Sequence, residues 1–269
     1  MKVAVGQIAC RAADVDANVA TLTRVVQEAA SAGCEAVVLP EVADTGYALS
    51  QMRVVAAPWD GGAFGAMQNS ARESGITVIC GLAEREGDVL YNALAVINPQ
   101  GELVSKYRKI HLLKTPAIDE GRRFEPGEEL AIAEIGGLRW GFMICYDLRF
   151  PELSRALMRA GADVLVYSSA WPLSRVEHWK AMLPARAVEN QVYVVGCNRV
   201  GTEEDLTLGG HSCIVAPDGT VLAQADQTEE TLLATELDPS QLRTCREGVF
   251  LGDSLRPDLY TRWYSGTGS

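Results

Sequence analysis

The stretch that decides the fold is Gly141-Phe142-Met143-Ile144-Cys145-Tyr146-Asp147-Leu148-Arg149-Phe150-Pro151-Glu152. The apolar run over residues 138–144 is typical of a buried strand. Pro151 followed by Glu152 predicts the first turn of a helix, because proline fits there and acids suit the positive end. Cys145 therefore lies at a predicted strand-to-helix elbow, which aims its thiol out of the sheet end and leaves backbone N–H groups for an anion. Taken alone, Cys145 is better explained as a small buried hydrophobic residue.

The composition limits what the protein can bind and where it works. At 269 residues with 48% hydrophobic content, the chain suffices for one large α/β domain or two smaller ones. A net charge of −11 argues against nucleic acid or an anionic membrane as partner, because the general surface would repel both. The sequence has neither a long apolar span nor a leader-like N-terminus, so we expect a cytoplasmic protein.

The number and spacing of the cysteines and histidines indicate neither a metal site nor a set of disulfide bonds. The seven cysteines are odd in number and widely spaced, which fits neither paired disulfides nor a metal knuckle. The three histidines lack ligand spacing, so a zinc site is not expected.

Short apolar strands alternate with helices along the chain, and two antiparallel hairpins interrupt this order. The first pairs residues 90–97 with 102–109, and the second pairs 212–215 with 220–223. Their similar turns indicate two corresponding halves that each contribute a sheet. We therefore predict a four-layer α-β-β-α sandwich in one domain over residues 1–269. Its core ends near residue 247, and the tail 248–269 is expected to cover a surface or a partner subunit.

Three chemically active side chains lie at predicted strand ends. Glu41 follows the buried strand at 36–39, Lys109 ends the first hairpin, and Cys145 stands at the elbow. Open α/β sheets bind ligands at the carboxyl ends of their strands. A free thiol with a pKa of about 8.5 is mostly protonated at neutral pH, so a nucleophilic cysteine needs a base or a cation beside it. Separately, Glu41 is explained as a solvated turn residue and Lys109 as an exposed strand-end lysine, but together they supply both groups.

Three sequence blocks resemble the signatures of the carbon–nitrogen hydrolase (nitrilase) superfamily. They are Leu39-Pro40-Glu41 with Thr45-Gly46-Tyr47, then Tyr107-Arg108-Lys109-Ile110-His111-Leu112, then the elbow from Cys145 to Glu152. The resemblance extends from Val3 to about Tyr260. Later segments resemble the bacterial omega-amidase branch: Trp171-Pro172 with Arg175, His178-Trp179, residues 185–191, and Gly196-Cys197-Asn198-Arg199.

The resemblance implies a catalytic triad of Glu41, Lys109 and Cys145 on the α-β-β-α fold, without a metal or organic cofactor. The backbone N–H of Tyr146 is expected to join Lys109 in stabilising an oxyanion. The family pattern also implies a homodimer or a larger homo-oligomer.

A second glutamate downstream of the lysine is common in such families. Glu120 matches best and is expected to orient Lys109, with Asp119 and Glu125 as alternatives. The competing explanation for Glu120 is an exposed loop carboxylate.

Tyr47, Trp171 and Arg175 are the residues expected to line the substrate pocket. An arginine there suits a small acid amide, because a guanidinium binds a carboxylate through two hydrogen bonds. Trp171 is also explained as a core aromatic residue. Arg149 and Glu152 are expected to support the elbow and a subunit contact.

The resulting hypothesis is a cysteine-dependent amidohydrolase that forms a thioester and releases ammonia from 2-oxoglutaramate or a similar omega-amide. An N-carbamoyl amide hydrolase and a nitrilase remain alternatives within this chemistry. A non-catalytic metabolite-binding protein conflicts with the intact Glu41, Lys109 and Cys145, and a thiol redox sensor lacks a resolving cysteine near Cys145 in sequence.

Overall fold

The computed structural model describes residues 1–116, 118–203 and 205–265, and its architecture is two six-stranded mixed sheets between two layers of helices. The strands within this part of the chain are β1 (Lys2–Gln7), β2 (Ala36–Val38), β3 (Thr77–Glu86), β4 (Val89–Ile97), β5 (Leu103–Arg108), β6 (Ile132–Ile135), β7 (Leu138–Ile144), β8 (Val164–Ser168), β9 (Tyr193–Cys197), β10 (Thr202–Glu203), β11 (Leu206–Thr207), β12 (Cys213–Val215), β13 (Val221–Gln224) and β14 (Thr231–Glu236). The helices are α1 (Val15–Ser31), α2 (Met52–Val55), α3 (Gly62–Ser74), α4 (Pro151–Arg159), α5 (Val176–Asn190), α6 (Pro239–Arg246) and α7 (Pro257–Tyr264).

The two large sheets have matching layouts. The first has the order β14-β1-β2-β3-β4-β5 and the second β13-β12-β9-β8-β7-β6. In each, three central strands run parallel, β1-β2-β3 in the first sheet and β7-β8-β9 in the second, and antiparallel strands flank them. Both predicted hairpins are present, as β4 with β5 and as β12 with β13.

Alternation along the strands separates the layers. In β2, Ala36 and Val38 belong to the core between the sheets, whereas Val37 belongs to the core under α1 and α3. This follows because successive strand residues point to opposite faces. On the other side, Leu157 of α4 and Leu183 of α5 cover the second sheet. The predicted four-layer sandwich is confirmed.

The tail contains more regular structure than its sequence indicated. It forms a 3₁₀ turn, Leu251–Ser254, and then α7, which begins at a proline. Tyr264 donates a hydrogen bond to Glu152 at 3.3 Å, so α7 reaches the start of α4. Trp263 nevertheless keeps 57% of its surface exposed. Residues 266–269 of the predicted tail lie outside the described residues, and the domain limits stay a prediction.

None of the helices in the described chain combines the length and the apolar character needed to cross a bilayer.

Candidate active site

The ends of three strands place an acid, an amine and a thiol together. Glu41 follows β2, Lys109 follows β5, and Cys145 follows β7 of the other sheet. The Lys109 ammonium donates to Glu41 Oε1 and to Glu120 Oε1, both at 2.8 Å. The Cys145 thiol is hydrogen-bonded to Glu41. Four side chains distant in sequence therefore form one buried cluster.

Glu41 is completely buried and its carboxylate is fully engaged. Besides Lys109, Oε1 accepts from Asn92 Nδ2 at 2.7 Å, and Oε2 accepts from the Ala170 N–H at 2.8 Å. Burial alone would raise the pKa of Glu41, but the charge of Lys109 and these hydrogen bonds lower it below its ordinary value. Glu41 is therefore ionised at neutral pH and can accept a proton.

Lys109 remains an ammonium despite its burial. Loss of water favours the neutral amine, but Glu120 and Glu41 together hold the pKa of Lys109 well above its usual range. The backbone N–H of Lys109 also donates to the Asn92 carbonyl at 2.9 Å, which fixes the residue at the end of the hairpin.

The structure distinguishes between the three acids considered for the second glutamate position. Glu120 is buried and contacts Lys109, whereas Asp119 pairs with Arg122 at 3.4 Å and Glu125 is exposed. Burial raises the pKa of Glu120 against the opposing effect of Lys109. Its other contacts are the Tyr47 hydroxyl at 2.7 Å and the Leu113 N–H at 2.5 Å. Glu120 is therefore placed to orient Lys109.

The elbow holds Cys145 in a rare backbone conformation. Its φ of 46° lies in the left-handed region, which costs a residue with a side chain roughly 1–3 kcal/mol. Asp147, completely buried, fixes the turn by accepting from the Ile144 N–H at 3.0 Å, the His111 N–H at 3.0 Å and the Tyr107 hydroxyl at 2.7 Å. The elbow is therefore held in place by contacts from both sheets.

The resting sulfur is a thiol rather than a thiolate. Burial, and then the negative charge of Glu41, raise the pKa of Cys145 well above its ordinary value, and Lys109 offsets this only in part. The side chain keeps 7% of its surface exposed. A thiol hydrogen-bonded to an ionised carboxylate can lose its proton during attack rather than before it.

The first N–H groups of a helical turn have no partner within that turn. Tyr146, the second residue of the 3₁₀ turn Cys145–Arg149, therefore presents its N–H beside the sulfur. This is the position expected for a donor to an oxyanion.

The three predicted pocket residues have different surroundings. Tyr47 donates to Glu120 and borders a cavity of about 640 Å³. Trp171 is 2% exposed and packs on Trp179, as a core aromatic would. Arg175 is exposed at the start of α5, and its carbonyl accepts from the Trp171 indole at 2.8 Å. Their contact with substrate stays a prediction.

A second buried ion pair supports the wall that carries Tyr47. Arg199, completely buried, pairs with Glu203, whose Oε2 accepts from the Tyr47 N–H at 2.6 Å. Because Tyr47 in turn contacts Glu120, this polar chain connects the β9–β10 loop with Lys109.

Sequence reasoning missed Asn92, Asp147 and the Ala170 N–H. Asn92 gave a signal, since it is a polar residue inside the apolar run of β4. Asp147 lies in the quoted elbow, but nothing in the spacing showed which groups it would bind. Ala170 contributes through its backbone, which leaves no trace in the side-chain pattern.

The described residues contain no group of three or more histidines, cysteines and acids placed to hold a metal ion.

Comparison with known proteins supports the resemblance. The family model described as carbon–nitrogen hydrolase matches residues 2–247. The 2-oxoglutaramate amidase of Bacillus subtilis is 36% identical over 234 residues, covering 87% of this chain and 89% of that protein. A nitrilase of Pyrococcus abyssi is 36% identical over 252 residues, covering 91% and 93%. The omega-amidase NIT2 of Xenopus tropicalis is 33% identical over 252 residues, covering 91% of each chain.

A solved structure shows the same fold with a reacted cysteine. It is a variant of the amidase from Nesterenkonia sp. AN1, in which acrylamide has added to the active-site cysteine of that protein. Its TM-score is 0.88 at 27% identity, covering 98% of this chain and 99% of that one. Together with the family match, these relationships establish that the chain belongs to the carbon–nitrogen hydrolase (nitrilase) family, among relatives of the omega-amidase branch.

Proposed function

We propose that this protein is an omega-amidase that uses Cys145 as nucleophile and hydrolyses the terminal amide of 2-oxoglutaramate or a closely similar omega-amide. The observation that carries the proposal is the shared contact of Glu41 with the Lys109 ammonium and the Cys145 thiol in one dry cluster. Such an arrangement supplies a base, a cation and a nucleophile at a single point.

The first half of the reaction forms a thioester. Glu41 takes the thiol proton while Cys145 Sγ attacks the amide carbon, a transfer that typically contributes ~10² to 10⁴ in rate. The negative charge that develops on the amide oxygen is stabilised by the Lys109 ammonium and the Tyr146 N–H. Glu41 then returns its proton to the amide nitrogen, the C–N bond breaks, and ammonia leaves.

The second half regenerates the thiol. Glu41, again a carboxylate, takes a proton from a water molecule that attacks the thioester carbon. The same two donors stabilise the second oxyanion. The C–S bond breaks, the proton returns to sulfur, and the carboxylic acid product is released. Glu120 and Asn92 act through Lys109 and Glu41 as positioning residues.

The substrate proposal is supported by the similarity to the 2-oxoglutaramate amidase of Bacillus subtilis and to the omega-amidase of Xenopus tropicalis. A small amide with a carboxylate at its other end also fits a site beside which the Arg149 guanidinium carbon lies 4.7 Å from the ring centroid of Trp171.

We also propose a homo-oligomer, at least a dimer, in a reducing cytoplasm. The exposed aromatic side chains Trp263 and Tyr264, at 57% and 79% exposure, provide a surface that a second copy can cover. The seven cysteines are all free, which fits a compartment that keeps thiols reduced. Light scattering after size exclusion would give the mass.

The experiment that tests the function is ammonia release from four substrates at equal concentration. They are 2-oxoglutaramate, an N-carbamoyl amino acid, a simple aliphatic nitrile and pentanamide, an uncharged five-carbon amide. We expect the highest kcat/KM with 2-oxoglutaramate. A higher value with the carbamoyl compound or the nitrile would reassign the enzyme within its family, and no ammonia from any substrate would contradict amidohydrolase activity.

A further inference from the structure

Arg149 occupies an unusual position beside the catalytic cluster. It is the last residue of the 3₁₀ turn that begins at Cys145, and its side chain is half-buried. Its guanidinium carbon lies 4.7 Å from the ring centroid of Trp171 and 5.9 Å from that of Tyr146. Both aromatic residues are direct chain neighbours of the site, since Tyr146 follows Cys145 and Trp171 follows Ala170, which donates to Glu41. Arg149 therefore contacts two aromatic residues that adjoin members of the catalytic cluster in the chain.

The contacts of Arg149 leave its charge without a counterion. Within the described chain its one polar side-chain contact is His178 Nδ1, at 3.2 Å from Nη1, and no carboxylate lies within ion-pair distance. Two buried arginines, by contrast, are neutralised: Arg186 pairs with Glu189, and Arg199 pairs with Glu203. A guanidinium stacked against aromatic rings keeps its edge N–H groups free for a planar partner.

The backbone on either side of Arg149 is held by contacts of its neighbours. The carbonyl of the preceding residue, Leu148, accepts from Arg186 Nε at 3.2 Å and Nη2 at 2.8 Å. On the other side, the Phe150 ring stacks on His111 at a centroid distance of 3.6 Å. The backbone that carries Arg149 is thus held on both sides, so a ligand that binds its side chain does not have to order this turn.

The negative net charge of the chain means that an anionic substrate needs a cationic side chain at its binding site. A chain with net charge −11 repels an anionic substrate from most of its surface, so a local cation is required to bind one. Arg175, the arginine expected from sequence to do this, is exposed at the start of α5 and has no side-chain hydrogen bond or ion pair within the described residues. Its contact to the site runs only through its carbonyl.

From these observations we propose that Arg149, held between Tyr146 and Trp171, binds the carboxylate at the far end of the amide substrate and thereby selects carboxylate-bearing amides over neutral ones. The inference rests on the proposed omega-amidase function and names the residue that gives it its substrate class. His178 acts as an acceptor that orients one edge of the guanidinium, leaving the other edge for the two carboxylate oxygens.

The test compares two substrates and four proteins by ammonia release. The substrates are 2-oxoglutaramate and pentanamide, which has no carboxylate. The proteins are the wild type, R149Q, R149K and R159Q, a matched change of an exposed arginine at the end of α4. We expect R149Q to raise the KM for 2-oxoglutaramate about 10- to 100-fold, because a charge-assisted hydrogen-bond pair is lost. Its kcat/KM for pentanamide should stay within about 3-fold of the wild type, and R149K should recover part of the loss.

Each alternative result overturns a specific statement. An unchanged KM for 2-oxoglutaramate in R149Q contradicts the inference while leaving the omega-amidase proposal intact. An equal loss with both substrates, or a smaller particle in size exclusion, means that Arg149 supports the elbow or a subunit contact instead. R175Q is assayed with the same two substrates as a fifth protein, and a carboxylate-specific loss in R175Q without one in R149Q moves the anion site to Arg175. A wild-type enzyme that hydrolyses pentanamide but no carboxylate-bearing amide contradicts both the inference and the proposed function.

Discussion

The hairpins β4–β5 and β12–β13 have the same local geometry and different chemical content. Each has a bulge just before its turn, between Val96 and Ile97 in one and between Ile214 and Val215 in the other. Each turn ends on a glycine with positive φ, 78° at Gly101 and 89° at Gly219. Their turn hydrogen bonds also match: the Gly101 N–H donates to the Asn98 carbonyl at 2.8 Å, and the Gly219 N–H to the Ala216 carbonyl at 2.9 Å.

Only the first hairpin contributes to the active site. It carries Asn92 in β4 and leads into Lys109. The residues at the same sequence distances from the turn of the second hairpin are Gly210 and Gln227. The Pro-x-Gly turn and its bulge therefore determine the shape of the hairpin. Two polar residues at its open end determine whether it contributes side chains to the candidate active site. The second sheet instead carries the proposed nucleophile, Cys145, and the proposed backbone donor, Tyr146.

Among changes to the first sheet, the largest predicted effect is the loss of the Glu41 carboxylate. We expect E41Q to lower kcat for 2-oxoglutaramate by ~10² to 10⁴, because an amide cannot accept the thiol proton. The wild-type rate should be independent of pH near neutrality and fall only in acid, as pH drops through the lowered pKa of Glu41. Steady-state ammonia release over a pH series checks both statements. E102Q, an exposed acid beside the first turn, is the control, and a kcat in E41Q equal to that of E102Q would contradict the role of Glu41.

Asn92 gives a smaller effect and a direct comparison of the hairpins. Its amide N–H stabilises the ionised form of Glu41, so N92A should lower kcat about 10-fold and move the acid limb of the pH profile upward. The matched change is C213A in β12, another buried sheet position. C213A should cost stability, measured by thermal unfolding, without moving the acid limb. An equal shift of the acid limb in N92A and C213A would contradict the proposal that only the first hairpin contributes to the active site.

The sequence predicted the positions of the charged groups better than their contacts. Glu41, Lys109 and Cys145 were identifiable because each lies at the end of an apolar strand and because the three sequence blocks that contain them resemble the family signatures. Asn92 was not, since a single asparagine in β4 has the same appearance whether it faces a carboxylate or a solvent channel. The role of Tyr47 was also incomplete: it was expected at the substrate, and its hydroxyl donates to Glu120. Such contacts depend on side-chain directions that periodicity does not contain.

The smallest effect on turnover is expected for substitution of Asp44, a buried acid outside the catalytic cluster. Its substitution should change the stability of the protein instead. Burial, opposed by the Ala83 N–H, raises its pKa to about 7. The folded state therefore binds this proton more tightly than the unfolded state, and the resulting stability is lost as pH rises from about 4 to about 7. We expect D44N to become more stable relative to the wild type between pH 5 and pH 8, by roughly 2–3 kcal/mol. Urea unfolding at both pH values measures this difference, and a gap that does not grow with pH would show that Asp44 is not protonated in the folded protein.

The most direct test of the catalytic cluster is ammonia release by C145A at saturating 2-oxoglutaramate, with thermal unfolding measured on the same preparation. Because every step runs through the Cys145 sulfur, we predict a rate at the uncatalysed background from a protein that still unfolds cooperatively. A folded C145A that keeps more than about a hundredth of wild-type turnover, well above what a site without its nucleophile retains, would contradict the account.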